Sequence, residues 1–150
     1  MRKNRERGAA LVEMAVVAPM LLLLVLGIVE FGWKFGEFTE LRHAGREAAR
    51  YAAVSAPDLT GDGVFTTDDI VVAACNALNL SGTASGSITI DQVTGDDIGD
   101  TAHIALTIDV ESLTNAPIIS SFLPTSLSNE TTFRLEQAAT WSDTTLSGQC

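Results

Sequence analysis

Residues 14–29 read MAVVAPMLLLLVLGIV, sixteen consecutive positions without a charge. A helix needs about 20 apolar residues to cross the hydrocarbon core of a bilayer. The run reaches that length only when extended through Ala9–Val12 and Phe31–Trp33, which takes in Glu13 and Glu30. The flanks differ sharply in charge. Residues 1–8, MRKNRERG, hold Arg2, Lys3, Arg5 and Arg7 against Glu6. From residue 55 onward Arg134 is the one basic residue against thirteen acids, a balance of −12. Four basic residues crowd the eight positions before the apolar helix, while Lys34, Arg42, Arg46 and Arg50 are spread along the stem after it. The tight basic cluster is read as orienting the N-terminus to the cytoplasm and the acidic region outside. A cleaved secretory signal has the same basic start and apolar centre, but it ends in a small-x-small site. Here the apolar run continues as GIVEFGWKFGEF, bulky and charged.

The chain after the apolar run continues as a helix. In FGWKFGEFTELRHAGREAARYAAV, positions Phe31, Phe35, Phe38, Leu41 or Arg42, Gly45, Ala49 and Ala52 recur at spacings of three and four. They form an apolar-to-small stripe, with Lys34, Glu37, Glu40 and Glu47 largely off it. A single helix over 9–54 would be roughly 70 Å long, more than a membrane takes up, so its outer half must pack on something. The domain that follows is the nearest candidate. Pro19 removes one backbone donor inside the helix and predicts a kink. Gly27, Gly32 and Gly36 leave smooth surface for helix packing.

Beyond residue 55 the pattern is α+β. Asp68–Leu80 reads as a short helix capped by Thr66 or Thr67, with Ile70, Val71, Ala74 and Leu78 on one face. Ser87–Val93 and Ala102–Val110 alternate apolar and polar positions, and they predict a hairpin across the acidic turn TGDDIGDT. Thr131–Trp141 predicts a third strand. Pro117–Leu127 is apolar and ambiguous, a loop or helical turn, and the last residues, SDTTLSGQC, read as a polar tail. A long N-terminal transmembrane and stem helix packed on a small antiparallel sheet is a pilin-like arrangement that buries both apolar faces. The expected divisions are a basic cytoplasmic leader over 1–8, the transmembrane and stem helix over 9–54, and the outer domain over 55–150.

A carboxylate inside a membrane helix is expensive and usually has a partner, and Glu13 is such a residue. It holds the fifth position after Gly8 in RERG-AALVE. A basic leader, a Gly and a hydrophobic helix with Glu at its fifth position resemble the start of type IV prepilins. That likeness implies cutting after Gly8 by a prepilin peptidase, with Ala9 as the new N-terminus. It also implies that Glu13 neutralises the terminal ammonium of a neighbouring subunit, a pairing that gains weight in low dielectric. The plain alternative is a Glu that reaches the headgroups from near a helix end. Over a wider span, Gly8, Glu13, Pro19, Gly27, Glu30 and His43–Arg50 resemble the TadE-like pseudopilins of tight-adherence (Tad) pilus systems. The likeness covers about a third of the chain. It implies a minor or accessory pilus component whose partners are the membrane, a prepilin peptidase and other pilus subunits. A different function class stays open beside it, a membrane-anchored binding module with a calcium-stabilised outer domain.

That second class rests on Asp58-Leu-Thr-Gly-Asp-Gly-Val-Phe-Thr-Thr-Asp-Asp69, which does not belong to the family pattern. Against the twelve-residue calcium loop of EF-hands, Asp58, Thr60 and Asp62 fall at ligand positions 1, 3 and 5. Gly63 falls at the turn, the Val64 carbonyl at 7, Thr66 at 9 and Asp69 at 12. Thr60 is a weaker ligand than Asp, and Asp69 is shorter than the usual Glu. The competing reading is an acidic Gly-containing turn without an ion. In an oxidising compartment Cys75 and Cys150 predict a disulfide. Enzyme chemistry is not legible: His43 and His103 lack metal-ligand spacing, and no Ser sits in a nucleophile elbow. The acidic outer domain disfavours nucleic acid as a partner.

Overall fold

The computed structural model describes residues 3–78, 86–92, 94–114 and 121–147. Helix α1 runs Lys3–Val54 and α2 runs Thr67–Ala77. Four strands follow: β1 at Gly86–Gln92, β2 at Thr101–Asp109, β3 at Ser126–Arg134 and β4 at Thr144–Ser147. The class is α+β, as the alternation of helical and strand periods predicts.

Helix α1 begins before Gly8 and passes through Pro19 without a break in its assignment. It belongs to two compact units. One comprises Met1–Lys34 with Ser112–Pro124, the other Phe35–Glu111 with Thr125–Cys150. The division between the two units falls inside α1, and Ser112–Pro124, between β2 and β3, groups with the N-terminal part of that helix.

In the first unit the apolar side chains from Leu11 to Val29 stand open, Leu22 at 62% and Ile28 at 65% exposure. A helix that is hydrophobic all round is one that a membrane or other chains would cover. It is long and apolar enough to cross a membrane.

The second unit holds the core. Strand β2 alternates cleanly, with Ala102, Ile104, Leu106 and Ile108 buried, and β1 contributes Ile88 and Ile90. Register pairs Ile88 with Leu106 and Ile90 with Ile104, so both apolar sets share one face of the sheet. Against them lie Leu41, Ala44, Ala48, Ala49 and Ala52 of α1, with Ile70, Val71 and Ala74 of α2. Leu41, Ile70, Ile90, Ile104 and Leu106 are almost wholly enclosed, each such side chain contributing about 1.5–3 kcal/mol. The buried stripe of α1 corrects the expected one. Phe31 and Phe35 are exposed, and Phe38 is half-buried beneath the Arg42 guanidinium at 5.9 Å. Small residues replace them because the sheet approaches the helix closely. A Cβ on Gly45 would lie 2.9 Å from Asn129 Nδ2 and 3.0 Å from Thr131 Oγ1.

The sheet is fully antiparallel, in the order β3-β2-β1-β4. The hairpin of β1 and β2 matches expectation. The third strand does not, since β3 ends at Arg134 and Leu135–Trp141 leaves the sheet. There Glu136 and Gln137 donate their amides to the Ala53 carbonyl, and Trp141 Nε1 donates to Ala52. These bonds satisfy carbonyls that the end of α1 leaves open. The tail also departs from expectation: Thr144–Ser147 pairs with β1 as an edge strand, Thr145 opposite Thr89.

Candidate functional site

At the N-terminal end, Gly8, Ala9 and Glu13 lie on an exposed, uninterrupted helix. The Gly8–Ala9 peptide bond sits in helical backbone. Glu13 is solvent-accessible in the single chain, on the same bare surface as Leu11, Val12 and Met14.

Glu30, which the sequence shows both as the acid closing the apolar run and as one of the positions of the TadE-like resemblance, has a structural setting that the sequence did not reveal. It is wholly buried, and its carboxylate accepts the backbone N–H of Leu113 at 2.8 Å and of Thr114 at 3.0 Å. The Ser112 and Thr114 hydroxyls are buried at the same place. An enclosed carboxylate is tolerated only when donors replace its water. Two consecutive amides do so here, fastening the segment after β2 to the outer end of the apolar helix. One signal was present in the sequence. An acid that closes an uncharged run must either reach water or find donors.

The loop Asp58–Asp69 is ordered by its own amides. Asp58 accepts from Gly61 N at 2.6 Å through Oδ1 and from Gly63 N at 2.7 Å through Oδ2. Thr60 Oγ1 adds a third donor to Asp58, and Asp62 accepts from Val64 N at 2.9 Å. Gly63 has φ +88°, the left-handed turn that the sixth position of such a loop demands. Asp69 is fully buried and receives the most donors. Its Oδ1 takes the amides of Leu59 and Thr60 at 2.6 and 2.8 Å. Its Oδ2 takes the Thr66 amide at 2.7 Å and the Thr66 hydroxyl at 3.3 Å. Thr66 and Asp69 thereby form the N-terminal cap of α2. Burial pushes the Asp69 carboxyl up, but the amides of Thr66, Thr60 and Leu59 outweigh it and hold it below the ordinary range. The Gly61 and Gly63 amides likewise hold Asp58 down.

The six predicted ligand residues are thus gathered on one loop, with each carboxylate engaged by N–H groups. Among the described residues no three His, Cys, Asp or Glu side chains are arranged to hold a metal ion.

Cys75 is half-buried on α2, while Cys150 lies outside the described residues. His43 is exposed on α1 and borders a shallow cavity with Glu47, Tyr51 and Asn76. Glu47 is paired there with Arg50 at 2.7 Å.

A long apolar N-terminal helix leading into a small antiparallel-sheet domain defines an α+β class of chain with a helix long and apolar enough to cross a membrane. Within that class, residues 8–50 match the family described as TadE-like protein. The segment that matches is the one whose Gly8, Glu13, Pro19, Gly27, Glu30 and His43–Arg50 carry the resemblance, so the N-terminal part of the chain is similar to that family, which suggests a Tad pilus-associated component. No curated protein and no solved structure was found to match the chain.

Proposed function

We propose that this chain is a minor pseudopilin, an accessory assembly component of a Tad-type pilus with a structural rather than a catalytic role. A prepilin peptidase removes the leader after Gly8, and the freed helix docks with other pilus subunits in the membrane. The outer domain faces the periplasm or the exterior. The observation that carries this reading is the family match, which begins at Gly8 and covers the helix that the single chain leaves uncovered. The basic residues before Gly8 and the acidic balance after residue 55 support the orientation. Intact-mass measurement after coexpression with a cognate prepilin peptidase tests the reading. A mature chain starting at Ala9 is expected, and a product still starting at Met1 overturns it.

Docking gives Glu13 a partner. A neighbouring subunit's terminal ammonium supplies the counter-charge that a carboxylate on an apolar helix lacks. The pairing of Cys75 with Cys150 belongs to the same reading of an outer domain in an oxidising compartment. It is supported by the absence of a free thiol among the described cysteines.

A second reading, a calcium-stabilised binding module, is favoured by one observation. The Asp58 carboxylate already folds the loop back onto Gly61 and Gly63, as a calcium loop needs. Calcium would have to draw Asp58, Asp62 and Asp69 oxygens away from the amides they accept from. Its affinity would be modest, about 10⁻⁴–10⁻³ M. Calorimetric titration of the full chain in detergent, with Asp58→Ala and Asp62→Ala as controls, checks it. No heat and no rise in melting temperature at millimolar calcium would remove the ion from the account.

A further inference from the structure

The segment after β2 has a composition unlike the rest of the outer domain. From Ser112 to Asn129 it carries no charged residue, although the region from 55 onward has a balance of −12. Its described residues up to Pro124 group with Met1–Lys34, the unit that holds the apolar helix. Two large apolar side chains stand open on it, Leu113 at 51% exposure and Phe122 at 85%. Singly scattered apolar side chains need no explanation, but two on one uncharged stretch that groups with the bare apolar helix are what a membrane-facing surface would show. The place where this segment is fastened says what that cover is. Leu113 and Thr114 donate to Glu30, the first acid after the uncharged run 14–29. The loop is therefore held where the apolar helix leaves the hydrocarbon and enters the headgroups.

We propose that the turn bearing Phe122, together with Leu113, is a second membrane contact: an interfacial loop that Glu30 clips to the end of the spanning helix and that seats its apolar side chains among lipid headgroups. The proposal rests on the reading of α1 as membrane-spanning. Three physical requirements are met together. Aromatic side chains favour the interfacial zone. The loop's neutrality spares it the repulsion that an anionic leaflet exerts on an acidic surface. The Glu30 carboxylate is satisfied by amides rather than by water, so it need not reach for solvent at that depth. With one spanning helix alone, the outer domain could turn freely about its axis. A second contact beside the helix would fix which face of the domain is turned to the bilayer.

The test places the photoreactive residue p-benzoylphenylalanine in the full chain, reconstituted in phosphatidylethanolamine–phosphatidylglycerol vesicles. Three positions are compared: Phe122, Leu23 within the apolar run, and Ile98 on the exposed turn of the second unit. Lipid adducts at positions 122 and 23 with none at 98 are the expected result. Glu30→Gln should lower the adduct at 122 about tenfold, because one amide acceptor loses its charge, and leave the adduct at 23 unchanged. An adduct at 23 but none at 122 overturns the loop contact while leaving the anchor intact. A protein adduct at 122 also overturns it, in favour of a subunit surface. No adduct at 23 would instead overturn the membrane-spanning reading on which the proposal stands.

Discussion

The indole Nε1 of Trp141 donates to the backbone carbonyl of Ala52 at 3.2 Å, joining residues 89 positions apart at the end of the long helix. Trp141 is almost wholly buried, and its ring lies 6.3 Å from that of Phe133, tilted at 43°. It ends α1 and closes the sheet's open side at once. The same turn of helix also receives the Glu136 and Gln137 amides at Ala53, so three donors from one segment meet carbonyls at the end of the helix.

Trp141→Phe keeps most of the buried surface and removes the donor. The Ala52 carbonyl retains a long bond from Ser55 N at 3.4 Å, so a loss of about 1 kcal/mol is expected. Trp141→Ala also opens a cavity and should lose roughly 3–5 kcal/mol. Denaturant unfolding of the two variants in detergent, followed by far-UV circular dichroism, separates the contributions. No loss in Trp141→Phe would mean that the hydrogen bond adds nothing.

These contacts mark where the sequence stops being legible. The hairpin was readable because Ala102, Ile104, Leu106 and Ile108 alternate on one strand and Ile88 and Ile90 on its neighbour, a local signal of period two. The short helix was readable from Thr66 and the spacing of Ile70, Val71 and Ala74. The third strand went wrong beyond Arg134, since Phe133, Leu135 and Ala139 continue the alternation. What bends the chain there is long-range: Leu135 N donates to Asp100 O, and Gly99 N donates to Leu135 O. Strand β4 was missed because TTLS is polar and gains its structure only by pairing with β1. Glu30 has the same character. Its position was visible, but its two amide partners lie 83 and 84 residues further on. The helical course of the segment that matches the TadE-like family was legible because its pattern is local, whereas the buried stripe within it and the partners of Glu30 were not.

Gly45 and Gly36 lie on the same helix but differ in their surroundings. A Cβ at Gly36 meets nothing within 4 Å, whereas at Gly45 it meets Asn129, Thr131 and Leu106. Gly45→Leu should therefore push helix and sheet apart and lose about 1–3 kcal/mol or more. Gly36→Leu should leave the domain's stability unchanged or slightly raised, since Leu is the better helix former. Melting temperatures of the two variants check this. Similar losses at both positions would contradict the close approach at Gly45.

Ser55 follows the last residue of α1 with φ +46°, a left-handed conformation in which a side chain is unfavourable. Its hydroxyl is buried and has no hydrogen-bond partner among the described residues. Both features penalise Ser at a position where helices most often place Gly. Ser55→Gly should raise stability by about 1 kcal/mol. Ser55→Ala relieves only the hydroxyl and should gain less. Denaturant midpoints for the pair decide it, and a destabilised Gly variant would count against backbone strain at this site.

Asp69 makes the domain sensitive to acid. Its carboxyl is held below the ordinary value of about 3.9, chiefly because the Thr66, Thr60 and Leu59 amides outweigh the effect of burial. A depressed folded-state value favours the ionised form in the native state. The associated stability is fully present above about pH 4 and is lost as pH falls through the folded value. Asp58, held down by the Gly61 and Gly63 amides, titrates in the same direction. Stability measured between pH 7 and pH 2 should therefore be flat at first and then fall in the acid range. Asp69→Asn removes the charge and turns an NH₂ group toward amides that need an acceptor. It should lose about 3 kcal/mol at pH 7, and its acid limb should be shallower than that of the wild type. An unchanged acid limb in Asp69→Asn would assign the pH dependence to other carboxylates and leave Asp69 as a packing residue.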